Sequence, residues 1–180
     1  MDESILLQVN GLRGPGLDAI MGPLSSWGIY LFPVVMLLAL RWGRAHARSI
    51  RDGWLTWFLA IMVAETILKP IIARLRPTGH EHLREALDVM GRVPPPTSLA
   101  FPSGTSTAAF VGATWIWLRW GPRFGAPAIL LAAVVGFSRV YGGLHWPSDI
   151  LGGALLGAGM AFALDRVSKL IDRQPSPDPG

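Results

Sequence analysis

A histidine and an aspartate lie close together near the end of an apolar stretch of the sequence. His145 and Asp149 have three residues between them, and Pro147 is one of these. A proline suits the first turn of a helix, so Asp149 can fold back and accept a hydrogen bond from one imidazole nitrogen. The other nitrogen is then unprotonated and can act as a nucleophile. The spacing therefore predicts an oriented histidine nucleophile.

Three cationic side chains near other apolar runs suit the recognition of a phosphate group. Lys69 lies near the end of one run and Arg76 follows it, while Arg139 ends another run. A guanidinium presents a planar fork that matches phosphate oxygens, and an ammonium adds a compact charge. Each residue alone is an ordinary cation at a helix boundary, but together they predict a phosphate site beside the histidine.

A short Pro-Ser-Gly segment opens a further apolar run. It consists of Pro102, Ser103 and Gly104. Because the backbone N–H groups at a helix N-terminus bind anions, this segment is predicted to form a cradle for the same phosphate.

The clusters together form a pattern with defined spacing. They read K-x6-R-P from Lys69 to Pro77, P-S-G at positions 102–104, and S-R-x5-H-x3-D from Ser138 to Asp149. The pattern resembles the signature of the type 2 phosphatidic acid phosphatase superfamily, which includes membrane lipid phosphatases, glucose-6-phosphatase and soluble vanadium haloperoxidases. The resemblance covers about residues 69–149, and it implies a phosphatase of the membrane lipid branch.

The resemblance also implies a role for each residue of the motifs. His145 is the nucleophile that forms a phosphohistidine, and Asp149 orients it. The residues that hold the phosphate are Lys69, Arg76, Ser103, Gly104 and Arg139. The family needs no metal, the sequence contains no carboxylate or histidine cluster that suggests one, and no other cofactor is expected.

One position departs from the family pattern. The second motif usually reads P-S-G-H, and this chain has Thr105 in place of the histidine. In the family that histidine is the general acid, whose contribution is typically ~10²–10⁴-fold, and a threonine hydroxyl is too weak an acid to replace it. The loss matters most for a basic lipid alkoxide and least for a leaving phosphate. We therefore expect either a preference for a polyprenyl diphosphate, such as undecaprenyl diphosphate, or weak activity; an engineered substitution that traps substrate would also explain Thr105.

Four further side chains are candidates for accessory roles. His80 or His82, after the first motif, could supply the missing proton, although solvated loop histidines are the simpler interpretation. Glu65 lies one turn before the motif lysine, where an i,i+4 ion pair is favoured over a functional intramembrane carboxylate. Ser138 is the fourth candidate, as the first residue of the third motif.

Composition favours a membrane protein. Of 180 residues, 51% are hydrophobic and 16% are charged, and the mean hydropathy is +0.39. The absence of cysteine excludes disulfides and thiolate metal sites. The net charge of +4 does not indicate a nucleic-acid partner, because the arginines cluster in short stretches between apolar runs. Asp2 and Glu3 are not typical of a cleaved signal peptide.

Apolar runs predict an all-α integral membrane fold, a bundle of about five transmembrane helices. The runs cover about residues 20–40, 54–72, 100–118, 125–140 and 150–164. The last three lie near or below the ~17–25 residues of a lone span, which short helices tolerate when they pack in a bundle around a polar cavity. Gly153 and Gly157 form a small-xxx-small pair suited to close helix packing.

The remaining segments are interpreted as parts of one domain, residues 1–173. Residues 1–20 mix apolar and polar groups and are predicted to form an interfacial helix. Residues 78–99 mix acids and bases before three consecutive prolines, which predicts an extracytoplasmic loop with a short cap helix over the site. Residues 174–180 are predicted to form a disordered tail.

The basic residues predict the orientation in the cell membrane. Nine of them lie after the first, third and fifth runs: Arg41, Arg44, Arg48, Arg51, Arg119, Arg123, Arg166, Lys169 and Arg173. By the positive-inside rule these face the cytoplasm, and a belt of tryptophans accompanies them: Trp42, Trp54, Trp57, Trp117 and Trp120. The motifs then face the extracytoplasmic side of a multi-pass protein.

Three functions are compatible with these features. The first is a lipid phosphatase, whose partners are a membrane lipid substrate and the phosphate product. The second is a catalytically impaired binder or transporter of lipid phosphates, which the oriented His145 disfavours. The third is a phosphotransferase that passes the phosphoryl group to a lipid or sugar instead of water. The sequence indicates no particular oligomeric state.

Overall fold

A computed structural model describes residues 1–39 and 47–172, which are helical for most of their length. The helices are α1 (Asp2–Asn10), α2 (Pro15–Ala39), α3 (Ala47–Met62), α4 (Lys69–Ile72), α5 (Glu81–Ala86), α6 (Gly104–Trp120), α7 (Pro122–Tyr141) and α8 (Pro147–Asp172). A π-helical segment, Val63–Leu68, joins α3 to α4, and Pro77–Gly79 forms a 3-10 turn. Within the described residues the extended backbone amounts to an isolated bridge between Leu75 and Leu99.

Four helical stretches are long and apolar enough to cross a membrane. They are Pro15–Leu38, Ser49–Ile72, Pro122–Tyr141 and Pro147–Ile171. Large apolar side chains point outward from them; Ile71 is 73% exposed and Leu155 is 76% exposed. Lipid contact accounts for so much exposed apolar surface, since water would penalise it. The chain is therefore a multi-pass membrane protein.

The third predicted membrane helix corresponds to α6, which lies at the centre of the bundle. It packs against α2, α3, α7 and α8, and most of its residues are buried. Glycines allow this close approach: a Cβ on Gly112 would lie 2.1 Å from Phe32 Cβ, and one on Gly157 would lie 2.3 Å from the Thr107 carbonyl oxygen. A Cβ on Gly153 would lie 2.6 Å from the Ser103 carbonyl oxygen, so the predicted packing role of this glycine pair is confirmed.

The N-terminal segment is shorter than the predicted interfacial region. α1 covers Asp2–Asn10, and α2 begins at Pro15 because proline is favoured in the first helical turn. The Asn10 amide donates to the carbonyl oxygens of Tyr141 at 2.9 Å and Asp88 at 3.0 Å. These bonds fix α1 to the end of α7 and to the loop that follows α5.

The bundle has two distinct ends. At one end the start of α3 meets the ends of α6 and α8: the Ser168 hydroxyl donates to Asp52 at 2.9 Å, and Arg119 pairs with Asp165 at 3.1 Å. We call this the basic end, and we call the opposite end, which carries the three motifs, the site end. Several groups used above to predict orientation lie outside the described residues: Arg41, Trp42, Arg44, Arg173 and the side chain of Arg48. The predicted tail, 174–180, lies outside them as well.

Candidate active site

His145 and Asp149 form a buried pair where the loop after α7 enters α8. The helix begins at Pro147, as predicted, which places Asp149 in its first turn. His145 Nδ1 lies 3.2 Å from Asp149 Oδ2, and the same oxygen accepts a hydrogen bond from the Trp146 N–H at 2.9 Å. A proton on Nδ1 donates to the carboxylate and leaves Nε2 unprotonated.

The environment of His145 keeps its ring neutral. Burial lowers the pKa of His145 well below its usual 6.5, and the positive charges of Arg76, Arg139 and Lys69 lower it further. An interaction with the Ala100 backbone opposes this shift. Because the charges of cations from three separate segments lower the pKa of one imidazole, the fold brings these three side chains near His145.

Two of these cations are arginines held by neutral oxygens. Arg76 Nε and Nη1 donate to the carbonyls of Leu99 at 3.3 Å and Leu144 at 3.4 Å. Burial lowers the pKa of Arg76, while the nearby carboxylates of Glu65 and Asp149 oppose this.

Arg139 projects from the last turns of α7 and is held in a similar way. Its Nη1 donates to the Ser25 carbonyl oxygen at 2.6 Å and to the Ser25 hydroxyl at 2.9 Å. Its Nε has no hydrogen-bond partner within residues 1–39 and 47–172. In those same residues neither Arg76 nor Arg139 has a carboxylate within ion-pair distance. These guanidinium groups are therefore available to an anion.

Ser103 and Gly104 lie at the N-terminus of α6. Ser103 is the N-cap, and its hydroxyl accepts a long hydrogen bond from the Ser106 N–H at 3.4 Å. The Ser103 N–H donates to the Asp149 carbonyl oxygen at 3.0 Å, which ties the start of α6 to the start of α8. Thr105 follows in the first turn and is half-buried. The second motif thus opens the helix beside the His145–Asp149 pair.

Lys69 and Glu65 form the predicted i,i+4 ion pair. The Lys69 ammonium lies 2.7 and 2.6 Å from the two carboxylate oxygens of Glu65, and the lysine is buried. The carboxylate also contacts the second motif, since a Cβ on Gly104 would lie 2.3 Å from Glu65 Oε1. The first and second motifs therefore meet through Glu65.

The other accessory candidates occupy different surroundings. The Ser138 hydroxyl is buried and donates to the Val135 carbonyl oxygen at 2.7 Å, within its own helix. The His80 ring packs edge-on against Trp146 with ring centroids 5.5 Å apart, next to the His145–Asp149 pair. His82 is exposed, and its Nε2 lies 3.4 Å from a carboxylate oxygen of Glu3.

The sequence reasoning missed a network behind Asp149. Arg74 lies 3.1 Å from Asp149 Oδ1 and 2.7 Å from Asp2 Oδ2, and its Nη1 donates to the Ser148 hydroxyl at 2.5 Å. Although burial acts to raise it, hydrogen bonds from Ser148 and Arg74 lower the pKa of Asp2 below its usual value. Arg74 lies in the unspecified stretch of the first motif, so the spacing gave no signal for it.

The arrangement suits attack on a phosphorus atom. A neutral imidazole supplies the lone pair, and cations with a helix N-terminus can stabilise charge on the equatorial oxygens. Among the residues that the structure describes, no group of three or more His, Asp or Glu side chains could hold a metal ion.

Comparison with known proteins identifies related sequences. The PAP2 superfamily profile matches residues 53–171. The undecaprenyl-diphosphatase of Sulfolobus acidocaldarius is 31% identical over 147 residues, which cover 81% of this chain and 68% of that protein. The decaprenylphosphoryl-5-phosphoribose phosphatase of Mycobacterium tuberculosis is 31% identical over 157 residues, which cover 85% of this chain and 81% of that protein.

A solved structure shares the fold. It is the transmembrane PAP2-type phosphatidylglycerolphosphate phosphatase from Bacillus subtilis, with a TM-score of 0.75 and 25% sequence identity. The match covers 97% of this chain and 87% of that structure. The arrangement of membrane helices is therefore that of a membrane PAP2 phosphatase.

Proposed function

The chain belongs to the PAP2 superfamily, and on that premise we propose that it is an integral membrane lipid phosphatase that acts through a phosphohistidine on His145. The proposal rests chiefly on one observation. A buried His145, whose pKa is well below 6.5, lies against Asp149 and within the electrostatic reach of Arg76 and Arg139. A neutral imidazole among cations that have no carboxylate partner in the described residues is arranged to receive an anion.

The reaction has two steps. In the first, His145 Nε2 attacks phosphorus, an N–P bond forms, and the bond from phosphorus to the leaving oxygen breaks. In the second, water attacks the phosphohistidine, the N–P bond breaks, and phosphate leaves. Asp149 keeps the imidazole oriented in both steps. The groups proposed to hold the phosphoryl oxygens are Lys69, Arg76, Arg139, the Ser103 hydroxyl and the Gly104 N–H group.

The favoured substrate is a polyprenyl diphosphate, such as undecaprenyl diphosphate. Thr105 cannot protonate a basic alkoxide, but a leaving phosphate needs little protonation. A relative that carries the name undecaprenyl-diphosphatase supports this choice.

We place the site on the extracytoplasmic side of the membrane. Five of the basic residues used to predict orientation have described side chains and belong to the basic end, opposite the site: Arg51, Arg119, Arg123, Arg166 and Lys169. By the positive-inside rule that end faces the cytoplasm.

Phosphate release in detergent micelles tests the proposal. The wild-type chain is given undecaprenyl diphosphate or phosphatidic acid, and His145→Ala is the control. We expect release from the diphosphate that the substitution abolishes. Equal release by the control would exclude His145 as nucleophile. Binding of the diphosphate without release would identify a binder, and phosphorylation of an added lipid or sugar would identify a phosphotransferase.

A further inference from the structure

Glu65 is a carboxylate at the site end that the proposed reaction does not use. It lies in the π-helical segment Val63–Leu68, in which the Lys69 N–H bonds to the Ala64 carbonyl oxygen. Single π-helical turns inside α-helices often occur at functional sites. The Glu65 side chain is 42% exposed, so it can exchange protons with water that enters the site end.

The carboxylate lies beside the position that lacks the expected acid. Its Oε1 is so close to Gly104 that a Cβ there would be 2.3 Å away, and Thr105 is the next residue along α6. Glu65 therefore lies against the start of α6, where the phosphate is proposed to bind. Its charge also acts on Arg76, which is one of the cations around His145.

We propose that Glu65 is the proton donor to the leaving oxygen when the substrate is a lipid monophosphate. The proposal rests on the proposed phosphatase function and widens its substrate class, because a carboxyl group can protonate an alkoxide that Thr105 cannot.

Substrate binding is expected to change the surroundings of the Glu65 carboxylate. In the structure Lys69 contacts both carboxylate oxygens of Glu65, at 2.6 and 2.7 Å. A phosphate dianion becomes the new partner of Lys69 and brings negative charge next to Glu65. Both changes favour uptake of a proton from water by the carboxylate.

The protons balance over the two steps. As the N–P bond to His145 forms and the P–O bond breaks, the proton on Glu65 moves to the leaving alkoxide, which departs as an alcohol. The Glu65 carboxylate then accepts a proton from the attacking water while the N–P bond breaks. Phosphate leaves, His145 is neutral again, and Glu65 releases the proton to water and returns to its pair with Lys69.

His80 is the rival donor, since its ring packs 5.5 Å from that of Trp146 near the site. His80 packs against Trp146, whereas Glu65 contacts Gly104, the residue before position 105. A comparison of the two side chains therefore forms part of the test.

The test compares two leaving groups in the same variants. We expect Glu65→Gln to lower phosphate release from phosphatidic acid by roughly 10²–10⁴-fold and release from undecaprenyl diphosphate by less than about 5-fold. Thr105→His in the Glu65→Gln background should restore much of the monophosphate rate, because it returns an acid to the neighbouring position. Asp165→Asn is the matched control, since Asp165 pairs with Lys169 at the same i,i+4 spacing at the basic end; it should leave both rates unchanged.

Other outcomes contradict the proposal in distinguishable ways. Equal loss with both substrates would mean that Glu65 only positions Lys69. A selective monophosphate loss in His80→Gln but not in Glu65→Gln would assign the proton to His80. No monophosphate release by the wild-type chain, alongside diphosphate release, would overturn the role of Glu65 and keep the proposed function; no release from either would overturn the function. If Glu65→Gln does not fold, Glu65→Asp moves the carboxyl group away from position 105 and should lower release from phosphatidic acid more than release from the diphosphate; equal loss of release from both substrates would contradict the proposal.

Discussion

Asp149 and Asp165 are two buried carboxylates on the same helix, α8, and each lies 3.1 Å from an arginine. At the basic end Asp165 serves two cations, since Lys169 also binds it at 2.7 Å. At the site end Asp149 is shared between Arg74 and a neutral His145. The same helix thus carries an aspartate paired with two cations at one end and, at the other, an aspartate paired with one arginine beside a neutral histidine.

The two ends also differ in whether their arginines have carboxylate partners. Arg76 and Arg139 are partly buried at the site end and bind carbonyl and hydroxyl oxygens, with no carboxylate partner among the described residues. Burying a charge without a counter-ion costs free energy that packing elsewhere must offset. A phosphate group would supply the missing negative charge, so the uncompensated end is the one expected to bind an anion.

The largest expected effect separates the two aspartates. Asp149→Asn should lower kcat for diphosphate release by roughly 10³–10⁴-fold, because an amide no longer orients His145 in the tautomer that leaves Nε2 free. Asp165→Asn should leave kcat within about twofold, because it changes only the basic end, though it should lower thermal stability. Initial rates of both variants check this. Equal rates would remove the functional distinction between the ends.

A pair of arginines sharpens the comparison. Arg139→Ala should lower kcat/KM by roughly 10²–10³-fold, since a group that stabilises charge on the phosphoryl oxygens is lost. Arg119→Ala, which removes a partner of Asp165, should change kcat/KM little. The same steady-state assay measures both. A large loss in Arg119→Ala would show that the two ends are coupled.

Inorganic phosphate should bind only at the site end of the bundle. Inorganic phosphate at 100 times its Kd should stabilise the wild-type chain by about 2.7 kcal/mol, visible as a rise in Tm. Arg139→Ala should show a much smaller rise, whereas Asp165→Asn should respond as the wild type does. Thermal unfolding in detergent with and without phosphate checks this. An equal rise in all three proteins would indicate binding elsewhere.

The smallest expected signal is the protonation state of His145. Because the pKa of His145 in the folded protein is well below 6.5, the folded chain binds fewer protons than the unfolded chain as the pH falls through 6.5. This residue's contribution to stability therefore falls as the pH falls below that value. NMR of histidine-labelled protein should show a neutral His145 ring at about pH 6. A ring that titrates near 6.5 would contradict the electrostatic account.

The observed helix ends near Ser103 and Pro147 agree with the predicted ones. The apolar runs predicted where those ends fall, and the His145–Asp149 spacing predicted their contact. The start of α2 at Pro15 was not predicted. The polar residues among positions 1–20 interrupted the apolar pattern, so the predicted run began only at about residue 20.

Two features depend on tertiary packing and could not be predicted. The approach of Glu65 to Gly104 needs the crossing of the second membrane span with α6. The contact from Asp2 through Arg74 to Asp149 joins residues more than seventy positions apart, with no spacing to indicate it. Both contacts join a residue in or just before the first motif to a segment that is distant in the sequence.

Trapping the covalent intermediate tests the central claim most directly. The protein is mixed with undecaprenyl diphosphate that carries a labelled terminal phosphate, quenched in alkali, which preserves phosphohistidine, and mapped by peptide mass spectrometry. The account predicts label on the peptide that contains His145, and none in His145→Ala. Label on another residue, or phosphate release at the wild-type rate by His145→Ala, would contradict it.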